Sequence, residues 1–129
     1  MVLKQQIRTD KAPNPVARYS QGVRVGDVLY IQGFIPLDPS TGKMIEGDIR
    51  IQTARVFDSM KAVLEASGMS LMDVVKVTVF LSDLSDYAAF NDVYGLYFQA
   101  DPPPVRTTVQ AKMPFGALLE VDAVAYART

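Results

Sequence analysis

The stretch "VVKVTVFLSDLSDYAAFNDVYGLYFQADPPPVRTTVQ", residues 74–110, decides the architecture. Its opening segment, 74–81, is too β-branched and too apolar for a surface strand and reads as a central one. Asp83 or Ser85 can then cap a helix in which Tyr87, Phe90, Tyr94, Tyr97 and Phe98 recur at three- and four-residue steps, up to the DPPP stop at 101–104. The chain resumes as a strand over 105–111, which carries one fixed positive charge, Arg106. Toward the N-terminus, "GVRVGDVLYIQGFIP", 22–36, has β-rich runs on either side of Gly26-Asp27, a pair suited to a type II′ hairpin turn. Asp48 can cap a helix from Ile49 to Gly68 whose apolar stripe is Ile49, Val56, Phe57, Met60, Val63 and Leu64. Toward the C-terminus, "MPFG" makes a turn into a last strand, 118–127.

The resulting order, β-β-α-β-α-β-β, predicts an α+β fold with two helices on one face of a mixed sheet, in one domain spanning 1–129. Period-two counting puts Val28, Tyr30, Gln32 and Phe34 on one side of their strand and Leu29, Ile31, Gly33 and Ile35 on the other, so neither side is plainly polar. Two helices cannot hide both sides. The open face is therefore expected to be covered by self-association with cyclic symmetry.

Composition narrows the chemistry. The 129 residues are 49% hydrophobic and 21% charged, with a net charge of -1, so no basic excess favours nucleic acid. Cysteine and histidine are both absent, which removes disulfides, the usual zinc sites and every Ser-His or Cys-His nucleophile. No metal site is expected. Carboxylates, Arg, Lys, Tyr, Ser and Thr remain. The N-terminus lacks the apolar core of a signal peptide and no run approaches a membrane span, so a cytoplasmic protein without membrane contact is expected.

Alternation places Arg106, Thr108 and Gln110 on one side of their strand, and Glu120, Asp122, Val124 and Tyr126 on one side of the last. If these strands pair as a hairpin, Arg106 and Glu120 come within reach; pairing across a subunit boundary serves equally well. A guanidinium can hold a carboxylate through two hydrogen bonds, and a carboxylate can orient or deprotonate water. Arg and Glu on neighbouring strands are, however, more often a structural ion pair than a site. The tyrosines of the second helix read as packing rather than as a base-stacking platform, because no basic residues interleave with them.

The residues together resemble the RidA family, also called YjgF or L-PSP. The resemblance covers nearly the whole chain, through "KAPNPVARYSQGVRVGDVLYIQG" (11–33), "IPLDPSTGKMIEGDIRIQT" (35–53), "VKVTVFLSDLSDYAAFNDVY" (75–94), "PPPVRTTV" (102–109) and "LLEVDAVA" (118–125). It implies a chorismate-mutase-like fold and a homotrimer whose sheets form a central barrel, with active sites between subunits. It also implies cofactor-free hydrolysis of small enamine and imine acids, such as 2-aminoacrylate, to 2-oxo acids and ammonia. By the same resemblance, Arg106 binds the substrate carboxylate, Glu120 positions the attacking water, Tyr19 lines the cleft and the backbone of Gly33 approaches the ligand. Asn91 matches an asparagine of the family helix, with a structural role expected. Departures fall at Ala17-Arg18, at Gln32 and Phe34 in place of a serine and a glutamine, and at Thr108 where cysteine is common, which implies a substrate pocket of different shape and polarity. Two other readings stay open: a non-catalytic carboxylate-binding trimer, and an RNA-directed ribonuclease or translation inhibitor, against which the acidic composition speaks.

Overall fold

A computed structural model of the chain describes residues 3–128. Six strands, β1 (Lys4–Ile7), β2 (Gly22–Val25), β3 (Val28–Phe34), β4 (Val74–Leu81), β5 (Val105–Gln110) and β6 (Leu119–Tyr126), form one sheet in the order β1-β2-β3-β6-β4-β5. Only β4 and β5 pair in parallel; the other neighbours are antiparallel. Since β3 and β4 both run against β6, they run parallel to each other. Helix α1 (Ile49–Ala66) makes the crossover from β3 to β4, and α2 (Tyr87–Tyr97) the crossover from β4 to β5. Both steps go the same way across the sheet, so the right-handedness of parallel crossovers puts both helices on one face.

The local chemistry explains the elements. Asp48 accepts a hydrogen bond from the Ile51 N–H at 3.1 Å, capping α1, and Gly68 closes it at φ 73°. The apolar stripe of α1 is buried as its spacing requires, and Phe57 sits among Phe90, Tyr94, Tyr97 and Phe98 of the second helix segment. Asp83 caps a single 3-10 turn, Leu84–Asp86, that leads into α2. Gly26, at φ 59°, turns the β2–β3 hairpin. Strand β1, which pairs with β2, was not expected, because "KQQI" shows no apolar alternation.

Two expectations are corrected. The strands bearing Arg106 and Glu120 do not form a hairpin: β4 lies between them. Leu119, Val121, Ala123 and Ala125 are all fully buried or nearly so, and such a strand belongs between two neighbours, whereas β5, following three prolines and rich in threonine, takes the edge. The alternation along β3 also breaks. A register shift between Ile31 and Phe34 turns Phe34 into the core, where it is 1% exposed, while Tyr30 stays on the open face.

The face opposite the helices carries Tyr30, Val124, Tyr126, Thr78 and Phe80, with Glu120 and Asp122 among them, and none of the described elements covers it. Among the described residues no helix is long and apolar enough to cross a membrane.

Candidate active site

One end of the open face deepens into a cleft of about 420 Å³. Its walls come from the loop before β2 (Pro13, Asn14, Val16, Tyr19), from β3 and its continuation (Gln32, Gly33, Phe34, Ile35, Leu37), from the turn before β6 (Pro114, Phe115) and from Glu120. The loop is held by Gln21, a fully buried amide: its Nε2 lies 2.9 to 3.2 Å from the carbonyl oxygens of Thr9, Ala12 and Pro13, and its Oε1 accepts from the Thr9 N–H at 2.8 Å. Tyr19 folds back on the same loop, its hydroxyl accepting from the Val16 N–H at 3.3 Å. Arg18, the adjacent cation, is exposed and is not among the lining residues.

Glu120 is the acid of this cleft. Its carboxyl lies so close to Gly33 that a Cβ at that position would collide with Oε2, so any larger residue there would displace the Glu120 carboxyl from its present position. Burial raises the proton affinity of Glu120 above the usual carboxylate range, and the neighbouring Asp122 adds to the rise. A carboxylate so placed is a stronger base than one in water and holds a captured proton more tightly. Phe115 holds a left-handed backbone, φ 56°, at a cost of about 1–3 kcal/mol for a residue other than glycine. Its ring is 73% exposed at the cleft.

Arg106 lies elsewhere in the same chain. Its register partner is Val77, whose side chain is in the core, so Arg106 faces the helix side while Glu120, opposite Phe80, faces the open side. The guanidinium donates to the Tyr87 hydroxyl at 3.0 Å and sits 4.6 Å from the ring centre of Tyr94 and 5.6 Å from those of Tyr87 and Phe90. Among the described residues no carboxylate pairs with it. Burial raises the Tyr94 phenol while Arg106 pulls it back. Thr108, two residues along the same face, and Asn91, one helical turn beyond Tyr87, each keep a buried side-chain oxygen without a hydrogen-bond partner.

The chain thus carries two polar groupings. Tyr19, Gln32, Gly33, Phe34 and Glu120 converge on the cleft, though Phe34 contributes from the core; Arg106, Thr108 and Asn91 do not reach it within one chain. Gln21, Phe115 and the aromatic cradle of Arg106 were not singled out as functional by sequence. The signal for Phe115 is an aromatic residue directly before glycine in a tight turn; nothing marks Gln21 apart from its place before a strand.

A six-stranded α+β sheet with an acid-bearing cleft on its open side defines a class that comparison with known proteins resolves. The sequence model of the family described as Endoribonuclease L-PSP matches residues 9–127, and the chain belongs to that family, the RidA/YjgF group. A RutC family protein of Pyrococcus abyssi is 48% identical over 124 residues, covering 95% of this chain and 97% of that one. The 2-iminobutanoate/2-iminopropanoate deaminase of Dermatophagoides farinae is 42% identical over 122 residues, covering 94% of each. The crystal structure of Escherichia coli TdcF with bound serine superposes with a TM-score of 0.91 at 36% identity, covering 96% of this chain and 99% of that one.

Proposed function

We propose that the protein hydrolyses imines of 2-amino acids to 2-oxo acids and ammonia, without a cofactor, at sites shared between the subunits of a homotrimer. The observation that carries this reading is the complementary incompleteness of the two groupings. The cleft holds a base of raised proton affinity but no cation, and the edge strand holds a cation cradled by neutral rings but no anion. A neighbouring chain covering the open face would bring its edge strand, with Arg106, Thr108 and the Asn91 amide, to the cleft of the first.

In that site Arg106 binds the substrate carboxylate through two hydrogen bonds and fixes the imine carbon toward a water on Glu120. Glu120 takes a proton from the water as its oxygen bonds to the imine carbon; the C=N electron pair moves to nitrogen, which takes that proton from Glu120. The carbinolamine hydroxyl then passes its proton through Glu120 to the amine nitrogen, the C=O bond forms, and ammonia leaves with the C–N electron pair. The sum is R–C(=NH)–COO⁻ + H2O → R–C(=O)–COO⁻ + NH3. General-base assistance of this kind is worth about 10²–10⁴-fold. The name of the mite relative and the amino acid bound to TdcF support a small amino-acid-derived ligand. The family description speaks of RNA cleavage, but the cleft lining of one chain includes no Lys or Arg and a neighbour would add the single cation Arg106, too few to follow a phosphate backbone.

The test generates 2-aminoacrylate with a serine dehydratase and follows ammonia and 2-oxo acid release with the protein and with Arg106→Ala. Loss of two charge-assisted hydrogen bonds should lower kcat/KM at least about 100-fold while the mass and circular dichroism stay unchanged. Equal rates for the two proteins would remove the reading. Retained 2-oxo acid binding without any turnover would identify a carboxylate-binding protein instead.

A further inference from the structure

Resting on the deaminase reading, we propose that the preferred substrates are imino acids with a bulky apolar side chain, of leucine to phenylalanine size, and that Phe115 selects them. In the single chain, before a neighbour's edge strand closes it, the cleft measures about 420 Å³, against roughly 300–1,000 Å³ for sites of whole small molecules, whereas 2-iminopropanoate has only a methyl group beyond its reacting carbon. Beside the polar groups of Asn14, Tyr19, Gln32 and Glu120, one part of the cleft wall is apolar: Pro13 and Val16 from the loop, Ile35 and Leu37 beyond β3, Pro114 and Phe115 from the turn. None of those six side chains can donate or accept a hydrogen bond, so a hydroxyl or amide on the substrate would lose water without compensation there. Val16 and Phe115 are also strongly exposed in the free chain, at 66% and 73%, and an apolar ligand would take that area out of water.

Phe115 is the strained residue of this lining. It occupies a left-handed position, followed by Gly116 at φ 72°, so two consecutive residues are bent to present one aromatic ring at the cleft. Glycine would satisfy that backbone without strain, and no packing in the core compensates, since the ring is outside it. Strain kept at a ring bordering a cleft points to a ligand contact.

The experiment compares imines made in situ by an L-amino acid oxidase from L-alanine, L-leucine and L-phenylalanine, using the full-length protein and Phe115→Gly. The leucine and phenylalanine imines should exceed the alanine imine in kcat/KM by at least about 10-fold, and Phe115→Gly should collapse that ratio toward unity. A preference for the alanine imine, or a ratio unchanged in Phe115→Gly, overturns the inference while leaving the deaminase reading intact. Calorimetric binding of 4-methyl-2-oxopentanoate against pyruvate tests the same selection without turnover. Tighter binding of the branched acid, weakened in the variant, supports the selection even where no imine is hydrolysed, and equal binding overturns it.

Discussion

Arg106 and Glu120 sit in opposite electrostatic settings, one surrounded by groups that favour its charge and the other by groups that oppose it. Around Arg106 the rings of Tyr87, Phe90 and Tyr94 supply negative faces without neutralising the cation, so the guanidinium keeps its capacity for an incoming carboxylate. Around Glu120, burial and then Asp122 penalise the ionised form. The consequence for stability has a definite sign. From about pH 4.3, the unfolded value, up to the higher folded value, the folded chain retains a proton that the unfolded chain has lost, so stability falls as pH rises through that window. Glutamine at 120 cannot ionise and escapes the loss. The comparison is best made in Arg106→Ala, where no guanidinium from a neighbour offsets the burial. There, adding Glu120→Gln should leave Tm nearly unchanged at pH 4 and raise it at pH 7.5, and a gap equal at both pH values would contradict the assignment of cause.

At the level of elements, helix α1 was legible because a 3.6-residue stripe, an aspartate cap and a terminal glycine all agree, and β4 because a β-branched apolar run admits few other places. The position of β6 was not. Sequence neighbours usually pair, and nothing local in "MPFG" shows that the strand after it inserts between β3 and β4 instead of beside β5; the buried alanines fit only there. Alternation failed in β3 for a related reason, since a bulge changes which face a side chain meets without changing composition. The roles expected of Tyr19, Gly33 and Glu120 came from family likeness; Gly33 and Glu120 meet through the pairing of β3 with β6, whereas Tyr19 joins them from the loop that Gln21 holds, which no period encodes. That loop offers a direct check. Gln21→Ala would strand the carbonyls of Thr9, Ala12 and Pro13, lowering stability by roughly 2–3 kcal/mol in urea unfolding, and the loosened wall should raise KM more than it lowers kcat. A variant as stable as the parent would show that the loop is held by something else.

The whole molecule has to reconcile an uncovered sheet face with groups that one chain keeps on opposite sides of its sheet. Tyr30, Tyr126 and Val109 leave apolar area on or beside the open face, which a second copy would cover in the proposed trimer. If each site takes Arg106 from one chain and Glu120 from the next, two inactive variants must be able to repair one another. Arg106→Ala keeps an intact Glu120 cleft, and Glu120→Gln keeps an intact Arg106 edge. Each alone should form a trimer of three 14.2 kDa chains without activity. Co-refolded in equal amounts with random assortment, about a quarter of the junctions combine the intact edge with the intact cleft, so about a quarter of parental activity should return. A site built within one chain predicts none, because every chain in the mixture carries a defect. Recovery near a quarter would therefore establish at once that the protein assembles, that Arg106 and Glu120 act together, and that they meet only across a subunit boundary.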